Sequence, residues 1–450
     1  MSYIMKKISF FFLGLWMILC SGSCVVIENQ FEALPPGIWR GALMLEQQAV
    51  PVEAMPQKKK YFQEIPKRVS EAIPEGMLPF NFEVIYDESG GFHIEIINGN
   101  ERIPVPDVSF GRSKSRAKDS IRIDFPVYET YIIAFYEDND LEGYWYVPAR
   151  GSNYRIPFSA KYGKDYRFTP LKEPPAADLT GRWEVLFSEE DGSTFPAVGE
   201  FTQSGNHLSG TFLTETGDYR FLDGTVQGDH LYLSCFDGSH AFLFDAKINP
   251  DETLTGAFRS GVHYKATWSA KRNSEATLKN PYDLTSLVDG YETVQFSFPS
   301  PDGRLISPDS EEYRGKVKII QIFGTWCPNC RDETAFLVEY LNEHPHPDLK
   351  VIGLAFEKHR EKEKAFERIR TWQAHFKMNY DIAFAGYYDK EEAAKALPML
   401  NHVLSYPTLI FLDKNNKVRK IHTGFAGPAT AEYEAFKAEF DELVNKLLAE

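Results

Sequence analysis

Two cysteines three positions apart, Cys327 and Cys330, stand in the stretch Phe323-Gly-Thr-Trp-Cys-Pro-Asn-Cys330. Before them the mostly apolar run Val317 to Phe323 reads as a buried strand; after them Phe336, Leu337, Tyr340 and Leu341 fall on one helical stripe. A Cys-x-x-Cys at a strand-to-helix junction puts the first thiol at the helix N-terminus. There the unpaired backbone N–H groups and the macrodipole favour an anion, which stabilises a Cys327 thiolate. The second thiol, one turn in, is close enough to close a small disulfide ring and is shielded by the helix. Cys327 is therefore the expected attacking sulfur and Cys330 the resolving one, in dithiol–disulfide exchange.

Other uses of the pair fit less well. A structural zinc site needs four ligands, yet no second Cys pair or His-x₃-His lies nearby, and His344 and His346 read as loop residues. A purely structural bridge usually closes a longer loop. A peroxidatic cysteine would stand alone in a Pro-x-x-x-Thr-x-x-Cys setting, which is absent. No metal and no cofactor is expected.

Gly324-Thr-Trp-Cys-Pro-Asn-Cys330 followed by Glu333, the lead-in Tyr313-Arg-Gly-Lys-Val317 and the later Ser405-Tyr-Pro-Thr-Leu-Ile-Phe-Leu412 together resemble the TlpA/ResA-type thiol-disulfide oxidoreductases of the thioredoxin superfamily. The resemblance covers about residues 291–450. Pro407 precedes a β-branched run, an odd place for proline unless the Tyr406–Pro407 bond is cis. The resemblance implies that this proline is cis and faces the cysteine pair, with Tyr406 offering backbone groups to an extended substrate and Trp326 as a second substrate contact. It also implies that Glu333 tunes the thiols. A carboxylate near two thiols opposes thiolate formation when charged, and it can accept a proton from Cys330 during resolution. The alternative reading of Glu333 is a solvated helix acid. Two positions depart from the family pattern: Ala335 stands where a proline is usual, and Gln321 stands where many thioredoxins carry a buried Asp.

The rest of the chain must carry and address this site. With 450 residues, 43% of them hydrophobic, two or three domains with their own cores are expected. A net charge of −15 argues against a nucleic-acid partner. Residues 1–23 read as a signal peptide, with Lys6-Lys7 as its positive region and Ile8 to Leu19 as its apolar core. The following Ser21-Gly-Ser-Cys24 resembles a lipoprotein cleavage site, with Ser21 where Leu is usual, and makes Cys24 the expected lipid-bearing residue. The expected location is the periplasm, with the lipid as membrane anchor. Cys20 ends the apolar core and Cys235 lies in a β-pattern as a small hydrophobe, so Cys327 and Cys330 are the redox pair in a compartment where disulfides form.

Residues 24–171 and 178–272 read as two β-rich modules. Phe80-Asn-Phe-Glu-Val-Ile85, Phe92-His-Ile-Glu-Ile96 and Ser120-Ile-Arg-Ile-Asp124 alternate with period two. Gly181-Arg-Trp183 echoes Gly37-Ile-Trp39, Phe195-Pro196 echoes Leu78-Pro79, Asp229-His-Leu-Tyr-Leu233 echoes Asp119-Ser-Ile-Arg-Ile123, and Leu254-Thr-Gly256 echoes Leu141-Glu-Gly143. The drifting offset indicates a divergent duplication with insertions, one of them the Pro- and Lys-rich Gln47 to Glu75. The expected fold is thus multidomain: two tandem antiparallel β modules, barrel or sandwich, followed by an α/β thioredoxin-like domain over 291–450. Tyr144, Trp145, Tyr146, Trp183 and Trp268 are expected to fill the β cores.

The expected function is extracytoplasmic thiol-disulfide exchange, by resemblance in the reducing direction. The partners implied are protein thiol/disulfide substrates, apocytochrome c among them, and a membrane thiol carrier as electron donor. Two alternatives are a β-module binding lipoprotein with the thioredoxin domain as a docking unit, and a disulfide-forming oxidase. The modules show no catalytic constellation and are expected to hold the site away from the bilayer or to help dock a protein substrate.

Overall fold

The structure, a computed structural model, describes residues 34–46, 73–88, 91–113, 118–151 and 153–450. The expected signal peptide, Cys24 and most of the Gln47 to Glu75 insertion lie outside the described residues. The described chain carries two nine-stranded antiparallel sheets and then a five-stranded mixed sheet with helices.

In the first module Gly37–Met44 pairs with Met77–Tyr86 on one side and Arg155–Tyr162 on the other. Meanders lead from these to the edge strands Glu101–Val105 and Val108–Ser113, between which the curled sheet stays open. In the second, Gly181–Glu189 likewise pairs with Thr194–Ser204 and Tyr264–Arg272. There His207–Thr214 pairs back onto Thr194–Ser204, closing eight strands into a barrel, and carries the two-residue strand Gly217–Asp218 at its end. Phe187, Phe212, Phe244, Phe258 and Trp268 fill the barrel, each worth roughly 1.5–3 kcal/mol of hydrophobic burial.

The four sequence echoes fall on topologically equivalent strands: the first, second, sixth and eighth of each module. Trp39 and Trp183, in the first strands, are both 0% exposed. Gly143 and Gly256, in the eighth, have the same reason to lack a side chain. A Cβ would lie 1.9 Å from the Ile133 carbonyl oxygen in one and 1.9 Å from the Asp245 carbonyl oxygen in the other. Trp145, Trp183 and Trp268 are core residues as expected, but Tyr144 and Tyr146 are not. Strand pleating turns them to the face opposite Trp145, where Tyr146 stacks on Tyr131 at 4.9 Å and Tyr144 is 37% exposed.

The C-terminal sheet has the order Asp381–Tyr387, Leu349–Glu357, Val317–Phe323, Thr408–Leu412, Val418–Thr423. The first two pairings are parallel and the other two antiparallel. Helices α1 (Pro328–Glu343), α2 (Lys362–Phe376), α3 (Lys390–Ala396) and α4 (Tyr433–Ala449) complete this domain. Phe366, Ile369 and Trp372 of α2 pack into one core; Phe336 of α1 and Phe436, Phe440, Val444 and Leu447 of α4 pack into the other. Val444 lies on the inward stripe of α4, and Leu443 packs partly buried against the same core. The Asp381–Tyr387 strand and α3 are elements the sequence pattern does not announce: Asp381-Ile-Ala-Phe-Ala-Gly386 carries several small residues and is an edge strand, paired only with Leu349–Glu357. The described architecture is the expected fold class.

Candidate active site

All seven residues of Val317–Phe323 are buried, and the strand ends at a glycine for a steric reason. A Cβ on Gly324 would sit 2.8 Å from the Phe356 carbonyl oxygen, which also accepts the Trp326 indole N–H at 2.9 Å. Thr325 is held to the end of the same neighbouring strand. Its amide and hydroxyl donate to the two oxygens of buried Glu357, at 3.0 and 2.7 Å. These contacts fix the turn that delivers Cys327 to the N-cap of α1, with Pro328 in the first helical turn, where a missing N–H costs nothing. Cys327 Sγ accepts the Cys330 amide N–H at 3.3 Å, and in its thiol form donates to the Tyr406 carbonyl oxygen at 3.4 Å. Cys327 keeps 7% exposure and Cys330 none.

Glu333 lies under the pair rather than in solvent, at 0% exposure. One carboxyl oxygen accepts from Gln321 Nε2 at 2.9 Å; the other has no hydrogen-bond partner among the described residues. The Tyr380 hydroxyl donates to the Gln321 carbonyl oxygen at 2.9 Å, so the amide links a phenol to the acid. Burial pushes the Glu333 carboxyl well above its usual range, opposed by the Gln321 hydrogen bond and reinforced by the charge of Cys327. Burial likewise pushes the Cys330 thiol up, with further contributions from Cys327 and Glu333. The helix runs on through Ala335 without a break.

The Tyr406–Pro407 peptide is cis. The Tyr406 ring meets Trp326 at 5.6 Å, and its hydroxyl donates to the Tyr388 carbonyl oxygen at 3.0 Å. The structure thus brings Cys327, Cys330, Glu333, Trp326, Tyr406 and Pro407 into one region, while Cys24 lies outside the described residues.

Sequence reading missed what the β modules contribute here. Asn329, between the two cysteines, donates to the Asp218 carbonyl oxygen at 3.2 Å, and Ser405 donates to the Thr216 carbonyl oxygen at 2.7 Å. Gly427 N–H donates to the Asp218 carboxylate at 2.7 Å. Arg220, 1% exposed and in the left-handed backbone region at φ 59°, donates to the Pro328 carbonyl oxygen at 3.4 Å and pairs with Asp332 and Glu101. Its Nε lies 3.4 Å from the Asp237 carboxylate. Burial alone would raise Asp237, but His240 and Arg220 hold it well below the usual range. Burial raises Asp218 to about 6. The modules therefore touch the dithiol turn itself. Single-residue patterning holds no signal for this, since an Arg bound for burial reads like any surface Arg.

Residues 290–421 match the model of the AhpC/TSA family. The chain is 28% identical over 138 residues to "Thioredoxin-like protein YneN" of Bacillus subtilis, covering 31% of this chain and 73% of that protein. To "Thiol:disulfide interchange protein DsbE" of Escherichia coli K12 it is 25% identical over 169 residues, 37% of this chain and 81% of that one. Among solved structures, a thiol:disulfide interchange protein of the thioredoxin family from Chlorobium tepidum is 22% identical and matches 36% of this chain and 99% of its own, with a TM-score of 0.27. The C-terminal part of this chain is a thioredoxin-like domain, similar to the AhpC/TSA family over residues 290–421.

Proposed function

We propose that this protein is an extracytoplasmic thiol-disulfide oxidoreductase that reduces protein disulfides through Cys327 and Cys330. The observation that carries the reading is the Cys327 sulfur at the start of α1, accepting the Cys330 amide above a buried carboxyl. The Cys327 thiolate attacks one sulfur of a substrate disulfide, forms a bond to it and releases the other sulfur as a thiolate that takes a proton from solvent. Cys330 then gives its proton to Glu333 and attacks Cys327 Sγ. The bond between Cys327 and the substrate breaks, and the second substrate thiolate leaves with that proton. One substrate disulfide becomes two thiols, and the dithiol becomes a Cys327–Cys330 disulfide.

Burial of Glu333 suits this role, because a carboxyl raised toward the thiol range exchanges protons with a thiol more readily than an ordinary one. The reducing direction follows the resemblance of the Cys327–Cys330 motif to the TlpA/ResA-type oxidoreductases. Trp326, Tyr406 and Pro407 form the substrate contact. Residues 1–23 direct export to the periplasm, and a lipid on Cys24 supplies the membrane anchor. No helix among the described residues is long and apolar enough to cross a membrane. The substrates are cysteine-containing exported proteins, apocytochrome c among them, and a membrane thiol carrier restores the dithiol.

The test is insulin reduction by the full chain with dithiothreitol as donor. The expected result is turnover that Cys327→Ser abolishes. Turnover unaffected by that change would end the reading and leave the β modules, with the C-terminal domain as a docking unit, as the functional part.

A further inference from the structure

Beside the dithiol turn lies a cavity of about 90 Å³ where three parts of the chain meet. Its lining includes Tyr128 and Arg150 from the first module, His240 from the second, and Trp326 and Lys358 from the C-terminal domain. Trp326 and the adjoining Thr325 lead directly into Cys327, whose charge acts on Lys358. The cavity has room for a small polar group such as a carboxylate.

The charges around it do not balance. Glu129 is engaged by His359 Nε2 at 2.8 Å and Arg368 Nε at 3.5 Å, and Glu357 is engaged by Thr325. Lys358 and Arg150 form no ion pair with a described carboxylate. Lys358 Nζ stands 4.8 Å over the Trp326 ring, and the Arg150 guanidinium lies 5.9 Å from the Tyr154 ring centre. The neighbouring groups lie in the same field. Burial, then Arg150, brings Lys358 down to about 8, and burial, then Arg150, His240 and Lys358, brings His263 down to about 4.

We infer that this cavity is a carboxylate subsite formed by Lys358 and Arg150, and that the dithiol takes disulfides carrying a carboxylate close to the sulfurs. This rests on the exchange chemistry proposed above. The chain as a whole carries a charge of −15 and repels anions at long range, so an anion preference has to arise locally. Lys358, partly buried, also attracts a carboxylate more strongly than a fully exposed cation does.

The experiment uses the reduced full chain and three small disulfides: dithiodiglycolate (anionic), hydroxyethyl disulfide (neutral) and cystamine (cationic). Each rate of thiol release is divided by the rate of the same disulfide with free dithiothreitol, which removes intrinsic reactivity. Dithiodiglycolate should exceed cystamine by about tenfold, the factor for about 1.4 kcal/mol. The ratio should shrink as salt rises, persist in Lys358→Arg, and collapse toward unity in Lys358→Gln with Arg150→Gln. Equal or faster reaction of cystamine in the native chain, or a ratio that survives the double substitution, would overturn the subsite. Thiol release from none of the three would overturn the dithiol reading, and the subsite with it.

Discussion

Arg220 of the second β module and Asp332 of α1 form an ion pair at the foot of the dithiol turn, with side-chain exposures of 1% and 12%. The same guanidinium serves Glu101 of the first module and lies near Asp237. One cation thus ties both modules to the helix that presents Cys327 and Cys330. An active site merely tethered at the end of a spacer would need no such contact.

Replacing Arg220 by Met should therefore be costly. It leaves Glu101, Asp237 and Asp332 close together without their cation, and breaking a buried ion pair from one side costs about 3–5 kcal/mol. Chemical denaturation of the full chain should show a loss of that order. Arg220→Met combined with Asp332→Asn should recover part of it, since one uncompensated charge is gone.

The order of the cysteines is checked by trapping. Cys330→Ala should accumulate mixed disulfides through Cys327, the thiol with residual exposure, and Cys327→Ala should accumulate none. Equal trapping by both variants, read on non-reducing gels, would refute the assignment.

Glu333→Gln should act on the thiols without unfolding the domain, because the amide retains an acceptor for Gln321 Nε2. Removing the carboxylate removes one of the groups that hold the Cys330 thiol up, so its titration should move to lower pH. An amide takes no proton, so decay of the mixed disulfide should slow about 10²-fold or more, the usual range for losing a general base. An unchanged thiol titration and unchanged decay would reduce Glu333 to a packing residue.

Asp218 predicts a pH dependence. Its ordinary value is 3.8 and burial raises it to about 6, so between these values the folded state binds more protons than the unfolded one. Its contribution to stability is full below about pH 4 and is lost as pH rises through 6. Asp218→Asn should flatten that fall, by about 3 kcal/mol at most, from roughly two pKa units at 1.36 kcal/mol each. The slope of unfolding free energy against pH is the readout, because Asn disturbs the amides of Gly427 and Arg220 at every pH.

The sequence alone determined what depends on neighbours along the chain. The strand-to-helix junction around Cys327 and the period-two strands of the first module are local patterns, read from residues a few positions apart. The likeness of the two modules was legible as well, because Trp39 and Trp183, or Gly143 and Gly256, meet the same requirement twice. Tertiary structure alone decided the surroundings. Whether Glu333 is solvated or buried depends on Gln321 and Tyr380 arriving from other elements. That Glu357 holds Thr325, that Arg220 reaches Asp332 and that Lys358 and Arg150 line one cavity depends on which surfaces meet after each part has folded. The physical reason is that a charged side chain carries no mark of its partner. Its cost of burial is met only by whichever opposite charge the packed chain brings within reach, often more than a hundred positions away, as for Arg220 and Asp332.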